Sequence, residues 1–256
     1  MDGTTAFVTG ASQGIGRQIA IAFADRGANV ALAARSDGIE ETAAAIGEPD
    51  RVLAVRTDVT DEASVAGSIA ETVETFDGLD VLVNNAGIAG PTEPIEEIDR
   101  EAWERTMEVN VTGMFLTTKH AVGHLRASDR ASVVNIASIS GKRPLPDRTP
   151  YTASKMAVIG LTRTLAFELG ADGVTVNAIC PGATRGPRID AVIEAQAENM
   201  GVSVEEARRR VFTDDAALGT LVDATDVAEV ATFLASEPGR HITAQDVNVD
   251  AGTVWY

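Results

Sequence analysis

The chain has little cysteine and no long hydrophobic run. Cys180 is its only cysteine, so no disulfide can form within the chain, and a reducing cytoplasm is the expected location. No apolar run approaches the roughly 20 residues that a membrane helix needs. The segment before the first strand-like run has no basic region, so no signal peptide is expected. These absences exclude a disulfide scaffold and predict a protein that has no membrane partner.

Lysine and aromatic residues are also scarce, whereas acids are abundant. Thirty-eight acids stand against 21 basic residues, of which 18 are arginine and three are lysine, and the formal net charge is -17. A surface of this sign repels phosphate backbones and anionic membranes, so no nucleic-acid or membrane partner is expected. Excess acid with 4% aromatic residues resembles the cytoplasmic proteins of salt-accumulating halophiles, in which salt screens the repulsion between carboxylates. An acidic mesophilic enzyme is the alternative.

Short runs of Val, Ile, Leu and Ala alternate with longer amphipathic segments. They predict strands at Thr5–Thr9, Asn29–Ala34, Val52–Asp58, Asp80–Asn84, Ser132–Ala137, Thr175–Ile179 and Asp246–Asp250. Near-continuous apolar strands are typical of a parallel sheet that helices cover on both faces. We therefore expect one α/β domain over residues 1–256, with a Rossmann-like doubly wound parallel sheet of seven strands.

Three segments between the strands have interpretable features. Thr60 precedes two acids, which predicts a helix near 61–75 that the Thr60 hydroxyl caps. Residues 98–127 are long enough for one extended helix or two joined helices. Residues 182–217 interrupt the alternation between the sixth and seventh strands. Excursions of this length usually form lids or binding loops, so we expect a substrate lid there.

The first strand continues into a glycine loop, VTGASQGIGRQIA, that precedes a helix-like run. Gly10, Gly14 and Gly16 would let a pyrophosphate approach the backbone closely, and the helix N-terminus offers unpaired N–H groups and a positive dipole. Glycines also occur in tight turns, but their position after the first strand predicts a dinucleotide site. The loop residues Ser12, Gln13 and Ile15 belong to the same predicted site.

The end of the second strand bears on the choice between NAD and NADP. An acid there would hydrogen-bond the ribose 2′-OH of NAD, whereas a nearby arginine accommodates the 2′-phosphate of NADP. The chain has Ala34 in that place, followed by Arg35 and Ser36, which can receive a phosphate. Gln13 adds no second positive charge. The pattern favours NADP and leaves NAD open.

Tyr151 and Lys155 lie four residues apart at the start of a segment with helical periodicity. Its apolar residues Val158, Leu161, Leu165 and Leu169 form the expected inward face. A carbonyl that is reduced by hydride needs a proton donor, and a phenol is a suitable acid and base. A free phenol has a pKa of about 10, and a nearby cation favours the phenolate. Lys155 can supply that charge from the same helix face, although such pairs are also common on exposed helices.

The chain then resembles the short-chain dehydrogenase/reductase family over essentially its whole length. The motifs that carry this resemblance are TGxxxGxG (Thr9 to Gly16), Asp58 after the third strand, NNAG (Asn84 to Gly87), Asn110 in the long helix, Ser138 after the fifth strand, YxxxK (Tyr151 to Lys155) and Pro181-Gly182. Because ligands of open α/β sheets bind beyond the carboxyl ends of the strands, Gly10, Asn85, Ser138 and Pro181 should line one crevice.

The resemblance implies a role for each matching residue. Lys155 would also bind the nicotinamide ribose, Ser138 would hydrogen-bond the substrate oxygen, and Asn110 would help hold a water that links Lys155 to solvent. The implied cofactor contacts are Asp58, Val59, Asn85, Ala86, Gly87, Tyr151, Lys155, Pro181, Gly182 and Thr184. One departure concerns the carboxamide of the nicotinamide, because the position where the family often has threonine is Gly186 here, and the nearest threonine is Thr184.

The implied activity is the NAD(P)-dependent interconversion of a secondary alcohol and a ketone. A small anionic or carrier-linked substrate, such as a 3-oxoacyl thioester, is expected, with a sugar or a sugar acid such as a 2-keto-3-deoxy acid as the alternative. Arg185 and Arg188 fall near the expected substrate mouth and can bind an anionic group, unless they pair with surface acids. A catalytically silent dinucleotide-binding sensor or scaffold is the alternative of another class. The family commonly forms dimers or tetramers, so a homo-oligomer is expected.

Three further signals argue against a metal site, a hydrolase nucleophile and a reactive thiol. His120 and His124 have metal-ligand spacing on one helix but lack the HExxH pattern, so we expect a helix face or a subunit contact and no metal site. Ser138 lacks the glycines that flank a hydrolase nucleophile. Cys180 ends an apolar strand and is expected to be a small core residue.

Overall fold

Seven parallel strands form the central sheet of the structure, a computed structural model that describes residues 1–256. The strands are β1 Thr5–Thr9, β2 Asn29–Ala34, β3 Val52–Arg56, β4 Val81–Asn84, β5 Ser132–Ile136, β6 Thr175–Pro181 and β7 Asp246–Val249. Their order across the sheet is β3-β2-β1-β4-β5-β6-β7, and each neighbouring pair is parallel. The predicted Rossmann-like doubly wound sheet is confirmed.

Strand ends differ from the prediction where the pairing partner decides them. β3 ends two residues earlier than predicted, because its only partner, β2, ends where Ala34 pairs with Arg56. β6 continues two residues further than predicted, because β7 still pairs with it up to Pro181 and Val249. The residues of one strand do not reveal where its neighbouring strand ends.

The helices follow the strands in the expected alternation. They are α1 Gly14–Ala24, α2 Gly38–Ile46, α3 Glu62–Phe76, α4 Arg100–Met107, α5 Gly113–Leu125, α6 Thr149–Leu169, α7 Pro187–Met200, α8 Val204–Arg208 and α9 Ala224–Leu234. None of these helices combines the length and the apolar character that crossing a bilayer requires.

Two details of the predicted helices are corrected. The cap of α3 is Asp61, whose side chain accepts a hydrogen bond from the N–H of Ala63. Thr60 instead donates its N–H and its hydroxyl to Asp58, so the prediction that Thr60 caps this helix is wrong. The predicted helix over 98–127 begins at Arg100, and a π turn at Glu108–Thr112 joins α4 to α5 without a break.

Alternate residues of the strands enter two cores, one on each face of the sheet. In β1, Ala6 and Val8 pack with α1 and α9, whereas Phe7 packs with α3, α5 and α6 on the opposite face. Each large apolar side chain that is fully buried stabilises the fold by about 1.5–3 kcal/mol. The predicted inward face of α6 is confirmed, since Val158, Leu161, Leu165 and Leu169 all contact these cores or the small cluster beside them.

The excursion after β6 contains α7 and α8 and has a small core of its own. Ile193, Ala197 and Ala207 are buried in it. One link to the rest of the domain comes from Arg143, which donates to the carbonyl of Val211 and lies 3.8 Å from Asp215. The excursion therefore packs over the segment that follows β5.

Candidate active site

The predicted crevice lies at the carboxyl edge of the sheet. Because all strands are parallel, the residues that follow β1, β4, β5 and β6 meet at this edge. Asn85, after β4, donates its amide to the carbonyls of Thr9 (2.9 Å) and Gly10 (3.2 Å). The loop after β1 and the NNAG segment are therefore in direct contact.

The glycine loop has the space and the polarity that a dinucleotide pyrophosphate needs. At Gly10, which has a φ of +67°, a Cβ atom would lie 2.7 Å from Nδ2 of Asn85. Gly14 has a φ of +58° and faces open space. The first turn of α1 contains no acid, and Gln13 before it caps no N–H with its side chain. The free N–H groups and the positive end of α1 thus fit an anionic phosphate.

The remaining loop residues have simple placements. Ser12 lies against Gly38 at the start of α2, Gln13 is exposed, and Ile15 packs on the core that α1 covers.

At the end of β2, two arginines and two acids lie together. Arg35 is exposed, and its Nη1 lies 3.8 Å from Asp58 Oδ2, next to Ser36. Burial raises the pKa of Asp58, but hydrogen bonds from Thr60 and the charge of Arg35 outweigh this and hold the pKa below its usual value. Arg56 donates to the carbonyl of Arg35 and pairs with Asp37. The sequence reasoning missed Arg56, although its position at the end of the third strand was the available signal.

Lys155 is buried beside Tyr151 on the first turns of α6. Its Nζ donates to the carbonyl of Ile136 over 2.8 Å and lies 5.7 Å from the centroid of the Tyr151 ring. Burial, together with the charge of Arg188, lowers the pKa of Lys155 to about 7. A single nearby charge therefore changes the protonated fraction of Lys155 near neutral pH.

Asn110 lies in the π turn between α4 and α5 and connects three segments. Its Oδ1 accepts from the N–H of Ile88, and its Nδ2 donates to the carbonyl of Ile88 and to Oγ of Ser154. Ser154 in turn donates to the carbonyl of Tyr151 over 2.7 Å. The Asn110 side chain therefore holds the segment after NNAG against the helix that carries Tyr151 and Lys155.

Ser138 lies at the end of β5, buried, in a loop that presses on α6. Its Oγ accepts from the N–H of Ser140 at 3.1 Å. Gly141 in this loop touches the backbone of Lys155, since a Cβ atom on Gly141 would lie 2.8 Å from the carbonyl carbon of Lys155. The loop that begins at Ser138 therefore packs against the turn of α6 that carries Lys155.

The other predicted cofactor residues border the same crevice. Val59 is buried against Gly113, and Ala86 donates its N–H to Oγ1 of Thr9. A Cβ atom on Gly87 would lie 3.1 Å from Asn110 Oδ1 and 3.7 Å from Lys155 Nζ, so Gly87 lies beside both of these side chains. After β6, the hydroxyl of Thr184 donates to the carbonyl of Gly182.

The two arginines of the excursion have different surroundings. Arg185 pairs with Asp223 at 3.1 Å and donates to Thr220. Arg188, in α7, donates to the carbonyl of Gly87 over 2.6 Å and pairs with no acid. Arg188 therefore reaches the crevice, whereas Arg185 is bound to the segment before α9.

Sequence reasoning missed Arg148, which precedes α6. Only 3% of this residue is exposed, and its Cζ lies 5.0 Å from the centroid of the Tyr151 ring. Its Nη2 donates to the carbonyl of Ala89 over 2.8 Å, while its Nε is buried without a partner. Burial lowers its pKa from the ordinary value. An arginine three residues before Tyr151 was the available signal.

His120 is paired at a helix face, and Cys180 is buried in the core. Nε2 of His120 lies 3.0 Å from Oε1 of Glu62, on the face of α5 that meets α3. Cys180 is fully buried, and burial raises the pKa of its thiol to about 11, so the thiol stays protonated at neutral pH. The prediction that Cys180 is a core residue is confirmed.

Comparison with known proteins gives matches over nearly the whole chain. A family model described as enoyl-(acyl carrier protein) reductase matches residues 10–254. The chain is 38% identical to cis-4-hydroxycyclohexanecarboxylate dehydrogenase of Sinomonas cyclohexanicum, with 96% of this chain and 95% of the relative covered. It is 33% identical to D-beta-hydroxybutyrate dehydrogenase of Cupriavidus necator, with 99% of each covered.

Solved structures have the same fold. An actinorhodin polyketide ketoreductase crystallised with NADPH is 35% identical, with a TM-score of 0.93 and coverage of 99% of this chain and 98% of that one. A 3-ketoacyl-(acyl-carrier-protein) reductase of Brucella melitensis complexed with NADH is 32% identical, with a TM-score of 0.87 and 98% of each chain covered.

Proposed function

Because the chain belongs to the short-chain dehydrogenase/reductase family and is an NAD(P)-dependent oxidoreductase, we propose that it interconverts a small anionic secondary alcohol and its ketone with Tyr151 as the acid–base group. The observation that carries this proposal is the buried Lys155, whose Nζ lies 5.7 Å from the centroid of the Tyr151 ring at the carboxyl edge of the sheet. The protonated form of Lys155, at that distance, favours the phenolate that alcohol oxidation requires.

Each residue of the site has a defined part in this proposal. A bound nicotinamide supplies the hydride to the carbonyl carbon or accepts it from the alcohol. Tyr151 Oη gives its proton to the carbonyl oxygen in reduction and takes the hydroxyl proton in oxidation. Ser138 Oγ donates a hydrogen bond to the same oxygen. Lys155, when it is protonated, supplies the positive charge that favours the phenolate of Tyr151. Asn110 keeps α6 in position through Ser154.

Replacing Tyr151 tests the assignment. Tyr151→Phe removes the hydroxyl alone, so turnover should fall by about 100- to 10,000-fold, the range that general acid–base catalysis contributes. Binding of NADPH, followed by its fluorescence, should be unchanged. Tyr256→Phe is the matched control, because Tyr256 is the only other tyrosine and lies at the chain end. Retained turnover in Tyr151→Phe would overturn the assignment.

The substrate class is tested by a panel run with NAD and NADP in parallel at high salt. Two relatives are named as dehydrogenases of hydroxy acids, and two solved structures as reductases of polyketide or acyl-carrier chains. The panel therefore contains hydroxy acids, oxoacyl thioesters, sugars and aldonates. If wild-type protein binds NADPH but turns over no member, the sensor or scaffold function replaces the proposed one.

Finer features are proposed on the same basis. NADP is the preferred cofactor, which is supported by Arg35, Ser36 and the neighbouring Arg56 at the end of β2. Residues 182–217 act as the substrate lid, supported by the contact of Arg188 with Gly87. A homodimer or homotetramer, a cytoplasmic location and adaptation to high salt complete the proposal, supported by the family and by the net charge of -17.

A further inference from the structure

Two arginines beside Tyr151 have no acidic partner, although the protein is rich in acids. Most of its arginines form ion pairs, and only Arg17, Arg130, Arg148 and Arg188 form none. Of these four, Arg188 bonds to Gly87, the last residue of NNAG, and Arg148 bonds to Ala89, two residues further along the chain. The crevice therefore contains two positive charges that the protein itself leaves uncompensated.

Of the two arginines, Arg148 destabilises the folded protein more, because it is the more deeply buried. Only 3% of it is exposed, its Nε has no hydrogen-bond partner, and its one hydrogen bond goes to a neutral carbonyl, that of Ala89. A buried charge without a counter-charge destabilises a protein by several kcal/mol, and buried polar groups in native proteins nearly always have partners. A ligand that carries a negative charge would supply both the missing partner and the missing charge.

The two guanidinium groups are close to each other and to the catalytic pair. Arg188 bonds to the carbonyl of Gly87 and Arg148 to that of Ala89, and residues two apart in a chain lie within about 7 Å. The charge of Arg188 also lowers the pKa of both Arg148 and Lys155, which agrees with this proximity. Arg148 Cζ lies 5.0 Å from the Tyr151 ring, so an anion bound between the arginines is near the reacting carbon.

We infer that Arg148, together with Arg188, binds a free carboxylate of the substrate, which makes the substrate a small 2-hydroxy or 3-hydroxy acid, or the corresponding oxo acid. This inference rests on the proposed function. The carboxylate lies one or two carbon atoms from the carbinol, because Arg148 borders Tyr151 itself. A carrier-linked thioester would place a neutral carbonyl between the two guanidinium groups and leave both charges uncompensated. Arginine binds carboxylates through paired, charge-assisted hydrogen bonds, so a free acid binds this site more tightly than a thioester does.

The test compares each acid with its methyl ester, so that only the charge of the substrate changes. Wild-type protein, Arg148→Gln and Arg148→Lys are assayed with 2-hydroxy and 3-hydroxy acids, such as 3-hydroxybutanoate, and with their esters. Loss of a charge-assisted hydrogen bond should lower kcat/KM for the acid by about 100-fold in Arg148→Gln and leave the ester within about 3-fold. Arg148→Lys keeps the charge but not the paired geometry and should lie between the two. Arg130→Gln, at an exposed arginine without an ion pair, is the matched control and should change neither value.

Each other outcome decides the question. An equal loss for acid and ester, or a wild-type enzyme that turns over esters or thioesters as well as acids, would overturn the inference while the oxidoreductase function stands. Weaker NADPH binding in Arg148→Gln with an unchanged ratio of acid to ester would show that Arg148 binds the phosphates of the cofactor instead. If Arg148→Gln does not fold, an unchanged ratio in Arg148→Lys overturns the inference. If wild-type protein turns over no alcohol or ketone at all, the proposed oxidoreductase function is overturned, and the inference about its substrate is overturned with it.

Discussion

At the scale of single residues, burial decides the ionisation of Lys155. Burial lowers its pKa to about 7, and the charge of Arg188 acts in the same direction. The unfolded chain keeps a lysine pKa near 10.4, so between about pH 7 and 10 the unfolded state binds more protons than the folded state. The contribution of Lys155 to stability therefore rises with pH across this window in the protein without cofactor.

Lys155→Met tests this reading. Methionine has no titratable group, so the free energy of unfolding of wild type minus that of the variant should increase from pH 7.5 to 9, by at most about 1.4 kcal/mol per pH unit. Urea unfolding of both proteins without cofactor measures the difference, and titrations common to both proteins cancel. If the free energy of unfolding depends on pH equally in both proteins, Lys155 remains charged in the folded protein.

Arg35 gives a second prediction at this scale. Its exposed guanidinium lies beside Ser36 at the end of β2, where a 2′-phosphate would bind. Arg35→Ala should raise KM for NADP by about 10-fold or more and leave KM for NAD within about 2-fold, because only NADP carries the phosphate. Arg51→Ala, at an arginine whose side chain is 42% exposed, serves as the control. Equal changes for both cofactors would remove Arg35 from the phosphate site.

At the scale of the elements, the contact between the Ser138 loop and α6 aligns the site. Gly141→Ala places a methyl group 2.8 Å from the carbonyl carbon of Lys155, so the loop must move. We expect a loss of stability of about 1–3 kcal/mol, as for other overpacked sites, and a lower kcat. Gly160→Ala is the control, because Gly160 lies in α6 facing open space, and alanine there should stabilise by about 0.5–1 kcal/mol. Wild-type kcat in Gly141→Ala would mean that this contact does not position Ser138.

At the scale of the whole molecule, the net charge of -17 governs the response to salt. Exposed ion pairs contribute little each, so screening them costs less than the relief of the repulsion between acids. The midpoint of thermal unfolding should therefore rise between about 0.1 M and 1 M KCl. The double variant Glu71→Lys/Glu74→Lys, at exposed acids of α3, should show a smaller rise. A midpoint that does not rise with KCl would contradict the halophilic reading.

Much of the fold and part of the candidate site can be predicted from patterns of neighbouring residues in the sequence. The apolar runs place seven strands, and the order of glycine loop, Ser138 and Tyr151–Lys155 places the crevice at one edge, because parallel strands end together. The ion pair of Arg185 could not be predicted, because its partner, Asp223, is 38 residues away in the chain. Thr60 was misassigned as a cap because Asp58, two residues earlier, competes for its hydroxyl.

The sequence by itself determined the α/β architecture, the dinucleotide loop and the spacing of Tyr151 and Lys155, because strand periodicity, glycine backbone freedom and the helical repeat are properties of neighbouring residues. Only the tertiary structure decided that Arg148 is buried against Tyr151 and that Arg188 reaches Gly87. Burial and charge pairing depend on which distant segments meet. The position of an uncompensated charge, and with it the proposed substrate class, therefore appears only once the chain is folded.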